Sequence, residues 1–480
     1  MLARPQFLFN LHLRCPTLPL PASFAGLYNV FPMKRASLHT IGCRLNQAET
    51  AALESRLRKA GYEIVDLGEP TDLLVLNSCS VTEDAERTCR YLIRKTLRQS
   101  PEAFVAVTGC YAQTGVHELR KIPGIDLIVG NQFKEDLPSF LPASTHLKKA
   151  PAAEVLYSRS IDRGDFVTAE YGEPDSTRVP VKIQDGCNVM CSFCLIPFAR
   201  GRERSRVVED VLQEARALVA RGYREVVLTG VNVGQYRQGG RDLLALIREL
   251  ELVGGLDRIR ISSIEPTTVT DGLLAHMGAS AKLCPYLHIP LQSGDDKVLT
   301  AMNRPYGVAE YVRLIERAVR WIPDLGLGTD LMVGFPGESE EAFQKTLSLA
   351  QDLPFAYFHV FPYSPRPGTA ALKLPHPVPA GVTLERTKRL SECARVKRMA
   401  FAERYLGSTV PVLFESGRID GFQVGTTPNF LRVAVPCSSE LTNTIRPVVL
   451  SGLSNRWAVG RLSPADHVLS SAPVMRVATL

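Results

Sequence analysis

The chain has 480 residues, 45% of them hydrophobic and 22% charged, which predicts a globular protein of two to four domains with ample core. No run of 18 or more apolar residues is free of charge, so no membrane-spanning helix is expected. Eleven cysteines are too few for a disulfide scaffold in a chain this long; they point instead to metal or redox chemistry in the cytoplasm. A formal charge of +7 mildly favours a polyanionic partner.

Residues 1–32 contain no Asp or Glu, several prolines and two arginines. They read as a disordered leader, or as an upstream start with the true one at Met33, in preference to a targeting segment. In the block 34–145, strands are predicted at 36–41, 73–76 and 104–107, alternating with helices near 47–60 and 83–98. That alternation implies a parallel sheet. Each of the three strands runs into a cysteine, in Thr40-Ile41-Gly42-Cys43, Leu76-Asn77-Ser78-Cys79 and Val107-Thr108-Gly109-Cys110. Ligands of open parallel sheets gather at the carboxyl ends of strands. These three thiols are therefore expected to converge and hold a cubane iron–sulfur cluster, with three buried core cysteines as the weaker reading. Cys15, Cys89, Cys284, Cys393 and Cys437 lack partners at useful spacing and are read as structural. Residues 146–175 read as a linker with one hairpin.

The block 176–407 begins with six strand-then-helix units. Strands are expected at 181–184, 225–229, 258–263, 286–292, 328–334 and 356–363, and helices at 207–220, 242–250, 270–277, 308–321 and 340–352. Right-handed crossovers close such units into a partial (β/α)6 barrel, with function at the carboxyl ends of its strands. Just after the first strand lies Cys187-Asn188-Val189-Met190-Cys191-Ser192-Phe193-Cys194. Three thiolates so close can hold three irons of a [4Fe–4S] cube and leave the fourth open to a small molecule. Structural zinc sites use paired CxxC knuckles that close all four positions, so zinc is the weaker alternative. The block ends in a basic helix, 384–406, carrying Arg386, Lys388, Arg389, Arg395, Lys397, Arg398 and Arg404 against three glutamates. A solvated face is the ordinary meaning of such a run. The last block, 408–470, offers strands at 410–414, 431–435, 446–450 and 457–461, punctuated by Gly421, Gly425, Pro428 and Gly452, and predicts a small β-barrel. The expected fold class is thus α/β: an amino-terminal parallel-sheet domain, a central partial barrel and a small carboxy-terminal β-barrel.

The CxxxCxxC spacing with Phe193 before its third cysteine resembles the radical S-adenosylmethionine (SAM) enzymes. Over about residues 36–465 the chain resembles their methylthiotransferase family. The resemblance rests on Gly42-Cys43-Arg44-Leu45-Asn46-Gln47-Ala48-Glu49, Asn77-Ser78-Cys79-Ser80-Val81-Thr82, Thr108-Gly109-Cys110, Leu228-Thr229-Gly230-Val231-Asn232, Leu291-Gln292-Ser293-Gly294 and Asp330-Leu331-Met332-Val333-Gly334-Phe335-Pro336-Gly337. It implies two [4Fe–4S] clusters, an auxiliary one on Cys43, Cys79 and Cys110 and a SAM-binding one on Cys187, Cys191 and Cys194. It further implies SAM contacts by Phe193, against the adenine, and by Thr229 and Gly230, near the methionine amino group. Packing for Phe193 and a tight turn for Gly230 are equally good readings. Gln292, Ser293 and Asp330 end later strands and are expected to face the same mouth. His288 and His359 read as satisfied barrel histidines rather than metal ligands.

The first motif looks most like the members that act on threonylcarbamoyladenosine in the tRNA anticodon loop, inserting a methylthio group at carbon 2 of adenine. Isopentenyladenosine in tRNA, an aspartate of a ribosomal protein, and a non-catalytic iron–sulfur RNA-binding role are the alternatives. The resemblance implies a reducing electron donor such as flavodoxin or ferredoxin. It also makes the last domain an RNA-binding TRAM domain, in which Phe430 and Trp457 either stack on bases or pack in the core.

Overall fold

The computed structural model describes residues 34–80, 82–142, 147–161, 176–437 and 439–463. The readings of residues 1–33, of half of the segment 146–175 and of Cys15 lie outside the described residues. Among the described residues no helix is long and apolar enough to cross a membrane.

The amino-terminal domain is a six-stranded parallel sheet with helices Arg44–Lys59 and Glu83–Gln99 packed on it. Its spatial order is Tyr62–Ile64, Lys34–Thr40, Leu73–Ser78, Phe104–Gly109, Leu127–Val129, Glu154–Leu156. The two central strands are buried along their whole length, as the unbroken apolar runs of a sheet covered on both faces require. Three strands of three residues each escaped the sequence reading, being too short to show any period. One of them, Glu154–Leu156, comes from the segment read as a linker, and it pairs parallel to Leu127–Val129 instead of forming a hairpin.

The central domain has six parallel strands in two three-stranded sheets. Arg178–Lys182, Glu225–Thr229 and Arg258–Ile261 form one; Tyr286–His288, Gly326–Val333 and Tyr357–Pro362 form the other. The bridges Ile259↔Leu283 and Ser263↔His288 join them into one curved wall. Helices Val208–Ala220, Leu243–Glu251, Asp271–Ala279, Val308–Trp321 and Glu340–Asp352 cover its outside. Three of them start at side-chain caps: Asp242 accepts from the Ala245 amide, Thr270 from Leu273 and Ser339 from Ala342. Strand alternation sorts the side chains. Val226, Leu228, Ile259, Ile261, Leu287 and Leu331 enter the core shared with the helices. The intervening Glu225, Arg260, Tyr286, His288, Asp330 and Tyr357 meet one another on the inner face.

The carboxy-terminal domain is a closed five-stranded barrel. A strand absent from the sequence reading, Phe422–Thr426, runs through Gly425, taken there as punctuation. Asp420 and Gly421, both with positive φ, make the two-residue turn between Ile419 and Phe422 that an Asp-Gly pair favours. At Gly425 a Cβ would lie 2.5 Å from the Leu413 carbonyl, so the glycine permits close approach of two strands.

The long helix spans Ala380–Glu403; Lys388, Arg395, Arg398 and its C-cap Arg404 are exposed, as a solvated face requires, but two of its basic residues turn inward. Arg386 is buried against Glu338 at 2.8 Å, and Lys397 donates to the Leu353 carbonyl at 2.7 Å. Trp457 is half-buried beneath the Arg456 guanidinium. Phe430 packs on Tyr286 at 4.6 Å, where the carboxy-terminal domain closes the amino end of the central barrel. Arg258 and Arg260 clamp that closure by donating to the carbonyls of Pro411, Thr426, Thr427 and Pro428.

Candidate functional site

The loop bearing Cys187, Cys191 and Cys194 leaves the first barrel strand through a pinch. Gln184–Asp185 pairs antiparallel with Arg204–Ser205, and the Cys187 amide donates to the Gly201 carbonyl at 3.1 Å. Gly186 sits inside the pinch at φ +73°, where a Cβ would lie 1.9 Å from the Arg202 carbonyl oxygen. Only glycine fits there. The far side of the loop is tied down by the Ser192 amide to Met302 O (2.9 Å), Ser192 Oγ to Ala301 O (2.8 Å) and Asn303 Nδ2 to Met190 O (2.6 Å).

Each thiol of the loop accepts a donor. The Val189 amide reaches Cys187 Sγ at 3.3 Å, the Ile196 amide Cys194 Sγ at 3.4 Å, and Arg304 Nη1 Cys191 Sγ at 3.2 Å. Arg304 is itself bonded to Tyr306 and Glu265. Burial pushes the Cys194 thiol up to about 12 and also raises Cys187 and Cys191, against the opposing donors Ile196, Val189 and Arg304. Such thiols stay protonated until a metal ion displaces the proton.

The other trio follows the sheet register. Ser78 pairs with Gly109, so Cys79 and Cys110, one residue on, leave adjacent strands side by side. Cys43 lies beyond Thr40, which pairs with Asn77 on the other flank of the same strand. Gly42, at φ +113°, brings that turn so close that a Cβ would lie 3.0 Å from Cys79 Sγ. Asn46 Nδ2 locks it by donating to Ile41 O (3.0 Å) and Ser78 O (3.3 Å). Cys79 and Cys110 are buried and Cys43 is exposed. Among the described residues no three Cys, His, Asp or Glu side chains stand in ion-binding geometry on their own. The donor sets nevertheless suit the expected group: three thiols per trio match a cubane that keeps one iron free.

The two trios are joined through a buried charge cluster that sequence reasoning did not find. Arg200, 2% exposed, ends the short helix after Cys194. Its Nη1 donates to Glu49 Oε1 (2.9 Å) and Asp185 Oδ1 (3.1 Å), and its Nη2 to Glu49 Oε2 (3.0 Å) and Asn46 Oδ1 (2.6 Å). Lys134 and Lys182 also pair with Glu49, and Lys182 and Arg204 with Asp185. Burial alone would raise Glu49, but Arg200, Lys134 and Lys182 together hold it well below the carboxylate range. The charge of Arg200 also acts on Cys43 and Cys110. Asn131 adds a neutral link, donating to Ala199 O at 2.7 Å with the same Nδ2 lying 3.9 Å from Cys110 Sγ.

The residues expected to touch SAM divide. Gly230 approaches Gln184 so closely that a Cβ would lie 2.8 Å from its Oε1, which accepts from the amides of Val231 (2.9 Å) and Asn232 (2.8 Å). Thr229 is buried and bonds its own strand at Val227 O. Phe193 meets Phe335 edge to face at 6.4 Å. Asp330 pairs with His288 Nε2 at 3.1 Å, while His288 Nδ1 meets the Tyr357 hydroxyl at 2.9 Å. His359 is exposed beside them, tilted against the His288 ring and edge-on to Tyr357. Gln292 adopts a left-handed φ of +71° where its strand joins Leu331. Ser293 is fully buried against Thr346 and the Asp295 amide, turned to the helix layer. Two side chains not singled out before suit a polar ligand better. Asn232, 1% exposed, has both amide atoms buried without a partner among the described residues, and Ser262 Oγ on the neighbouring strand end is likewise unpaired there. Such orphaned groups are rare unless a ligand completes them.

Residues 181–350 match the radical SAM superfamily, and residues 35–130 match a family described as uncharacterized protein family UPF0004. The threonylcarbamoyladenosine tRNA methylthiotransferase MtaB of Bacillus subtilis is 35% identical, over 86% of this chain and 93% of its own length. The chain belongs to the radical SAM methylthiotransferases. The MtaB of Aquifex aeolicus is equally similar, 35% identical over 86% of this chain and the whole of the relative. The tRNA-2-methylthio-N(6)-dimethylallyladenosine synthase of Maricaulis maris is 34% identical over 90% of this chain and 97% of its own. The cofactors of this methylthiotransferase are therefore SAM and [4Fe–4S] clusters, and its fold is the three-part α/β architecture with a TRAM-type barrel.

Proposed function

We propose that this methylthiotransferase inserts a methylthio group at carbon 2 of threonylcarbamoyladenosine in the tRNA anticodon loop, acting in the cytoplasm with a donor such as flavodoxin or ferredoxin. The observation that carries the two-cluster part of this reading is the Arg200 junction, which ties the Cys187, Cys191, Cys194 loop to the Cys43, Cys79, Cys110 strand ends. Overall identity does not separate the tRNA substrates, since relatives named for either one stand at 34–36%. The threonylcarbamoyl reading rests on the Gly42-Cys43-Arg44-Leu45-Asn46-Gln47 motif and on the MtaB relatives.

In this reading Cys187, Cys191 and Cys194 hold one cluster and Cys43, Cys79 and Cys110 the other. When bound, the clusters with SAM supply the electron, the radical and the sulfur that functionalising an aromatic C–H requires. The chain's own part is to bind, orient and exclude water. Arg304 and the amides of Val189 and Ile196 donate to the three loop sulfurs, which favours their thiolate form. Asn232 and Ser262 offer polar groups to SAM at the strand ends, and Phe193 with Phe335 provides an apolar wall for its adenine. Gln184 fixes the Gly230 turn against the cysteine loop. Arg200 acts as a positioning residue that sets the separation of the two trios.

The test is nucleoside mass spectrometry of tRNA from cells lacking the gene, complemented with wild type or with Cys191→Ala. Selective loss of the methylthio-threonylcarbamoyl nucleoside, restored by wild type alone, is the expected result. Loss of the methylthio-dimethylallyl nucleoside instead would keep the chemistry and move the substrate. No change in any tRNA nucleoside would overturn the tRNA reading.

A further inference from the structure

Three guanidinium groups crowd one aromatic ring where the three domains meet. The Cζ atoms of Arg44, Arg178 and Arg260 lie 5.9, 5.4 and 5.3 Å from the centre of the Phe430 ring. Arg260 is neutralised by Glu225 at 2.7 Å, and Arg178 by Glu415 at 2.7 Å. Arg44 has no carboxylate and no hydrogen-bond acceptor among the described residues. It is moreover the first residue of the helix Arg44–Lys59, where the helix dipole disfavours a cation. Arg178 Nε and Nη1 are buried without an acceptor among the described residues.

These groups border a cavity of about 360 Å³ whose walls include Arg44, Arg178, Tyr357, His359, Phe430 and Trp457 and, among the described residues, contain no Asp or Glu. A cationic cavity with aromatic walls, unfilled donors and no internal counter-charge is built for an anion on a flat or apolar group. Arg200 already supplies the cation beside Cys43 and Cys110, so Arg44 is not needed there. Arg44 nevertheless follows Cys43 directly in the chain, so its backbone adjoins the proposed sulfur-donating trio.

We propose that Arg44 is a specificity-determining residue that binds the carboxylate of the substrate's N6 substituent in this junction cavity. The inference deepens the threonylcarbamoyl reading and rests on it. The threonylcarbamoyl group hangs from the same ring as carbon 2 and ends in a carboxylate that suits the guanidinium fork. A dimethylallyl group ends in methyls and would leave the half-buried charge unmatched. A site built for a polar partner rejects an analogue that lacks it more strongly than an apolar pocket rejects a size change.

The experiment uses the reconstituted holoenzyme and anticodon stem-loop RNAs bearing threonylcarbamoyl, its primary amide, dimethylallyl or no substituent. Wild type is expected to favour the carboxylate over the amide by ~100-fold or more in kcat/KM. In Arg44→Gln that ratio should fall to about 1, with Arg44→Lys between the two. Iron content and thermal unfolding check that the variants are folded and loaded. If Arg44→Gln makes no product, the same ratio is read in Kd for the carboxylate and amide RNAs. A wild type indifferent to the amide, or an Arg44→Gln that keeps the preference, would overturn the proposal alone. Equal weakening of all four RNAs by Arg44→Gln would make Arg44 a backbone-phosphate contact and also overturn it. A wild type that modifies only the dimethylallyl RNA would sink the substrate reading and the proposal together.

Discussion

Removing the guanidinium of Arg200 tests the link between the two cysteine trios. In Arg200→Met, Glu49 keeps Lys134 and Lys182, Asp185 keeps Lys182 and Arg204, and Asn46 Oδ1 loses its donor. Breaking a buried ion pair from one side costs about 3–5 kcal/mol. The remaining cations put this case at the low end, and the lost Asn46 bond adds about 1 kcal/mol, so about 3–4 kcal/mol is expected. Arg200→Lys keeps the charge but not the fork and should cost about half as much. Because the protein has several domains, a single unfolding free energy is the wrong observable. Native-state hydrogen exchange of the helix Arg44–Lys59, which carries Asn46 and Glu49, reports the local opening directly. A loss of 3 kcal/mol is roughly 150-fold faster exchange there. In the same variant more SAM should be cleaved per methylthio product formed, because the two loops no longer keep their spacing. Exchange within about tenfold of wild type, with coupling intact, would refute the idea that Arg200 holds the two halves together.

Other perturbations separate the remaining roles. Gly186→Ala places a Cβ 1.9 Å from the Arg202 carbonyl at a left-handed φ, so anaerobic reconstitution should lose one cluster's worth of iron while far-UV circular dichroism is unchanged; full iron loading would show that the pinch does not shape the loop. Cys191→Ala should abolish SAM cleavage, whereas Cys79→Ala should retain some cleavage and make no methylthio product; methylthio product from Cys79→Ala would end the sulfur-donor assignment of that trio. The pH dependence follows from Glu49, held below its ordinary value of 4.5 by Arg200, Lys134 and Lys182 against the opposing effect of burial. A depressed carboxylate stabilises fully above the unfolded value and loses that contribution as pH falls through the folded one. The opening free energy of the helix Arg44–Lys59 should therefore be flat from neutral pH to about 4.5 and fall below it. Glu49→Gln should start lower and flatten the fall, and an equally steep acid limb in that variant would remove Glu49 as its source.

The parts of this enzyme that were legible in the sequence are those written locally. The strand Glu225–Thr229 and the helices Val308–Trp321 and Glu340–Asp352 fall where pattern alone places them, because apolar period and flanking caps or glycines mark both ends. The convergence of Cys79 and Cys110 was also legible, since equivalent ends of adjacent parallel strands must be neighbours whatever their distance in sequence. The Arg200–Glu49 contact spans 151 positions, and a single arginine among Arg202, Arg204 and Arg206 reads as surface until the amino-terminal domain docks on it. Phe430 was read as a base stacker or a core residue of its own barrel, yet its ring lies on Tyr286 of another domain because the loop 427–430 plugs the central barrel. Both residues act between domains, where neither period nor spacing carries a signal. The same holds for Arg44. Beside Cys43 it looks like filler in a motif, and only the placement of Arg178, Arg260 and Phe430 around it shows a charge with no carboxylate partner among the described residues. In a family whose chemistry is common to several substrates, the residues that choose among them are expected at such junctions, because the cluster-bearing loops are already committed to the shared reaction.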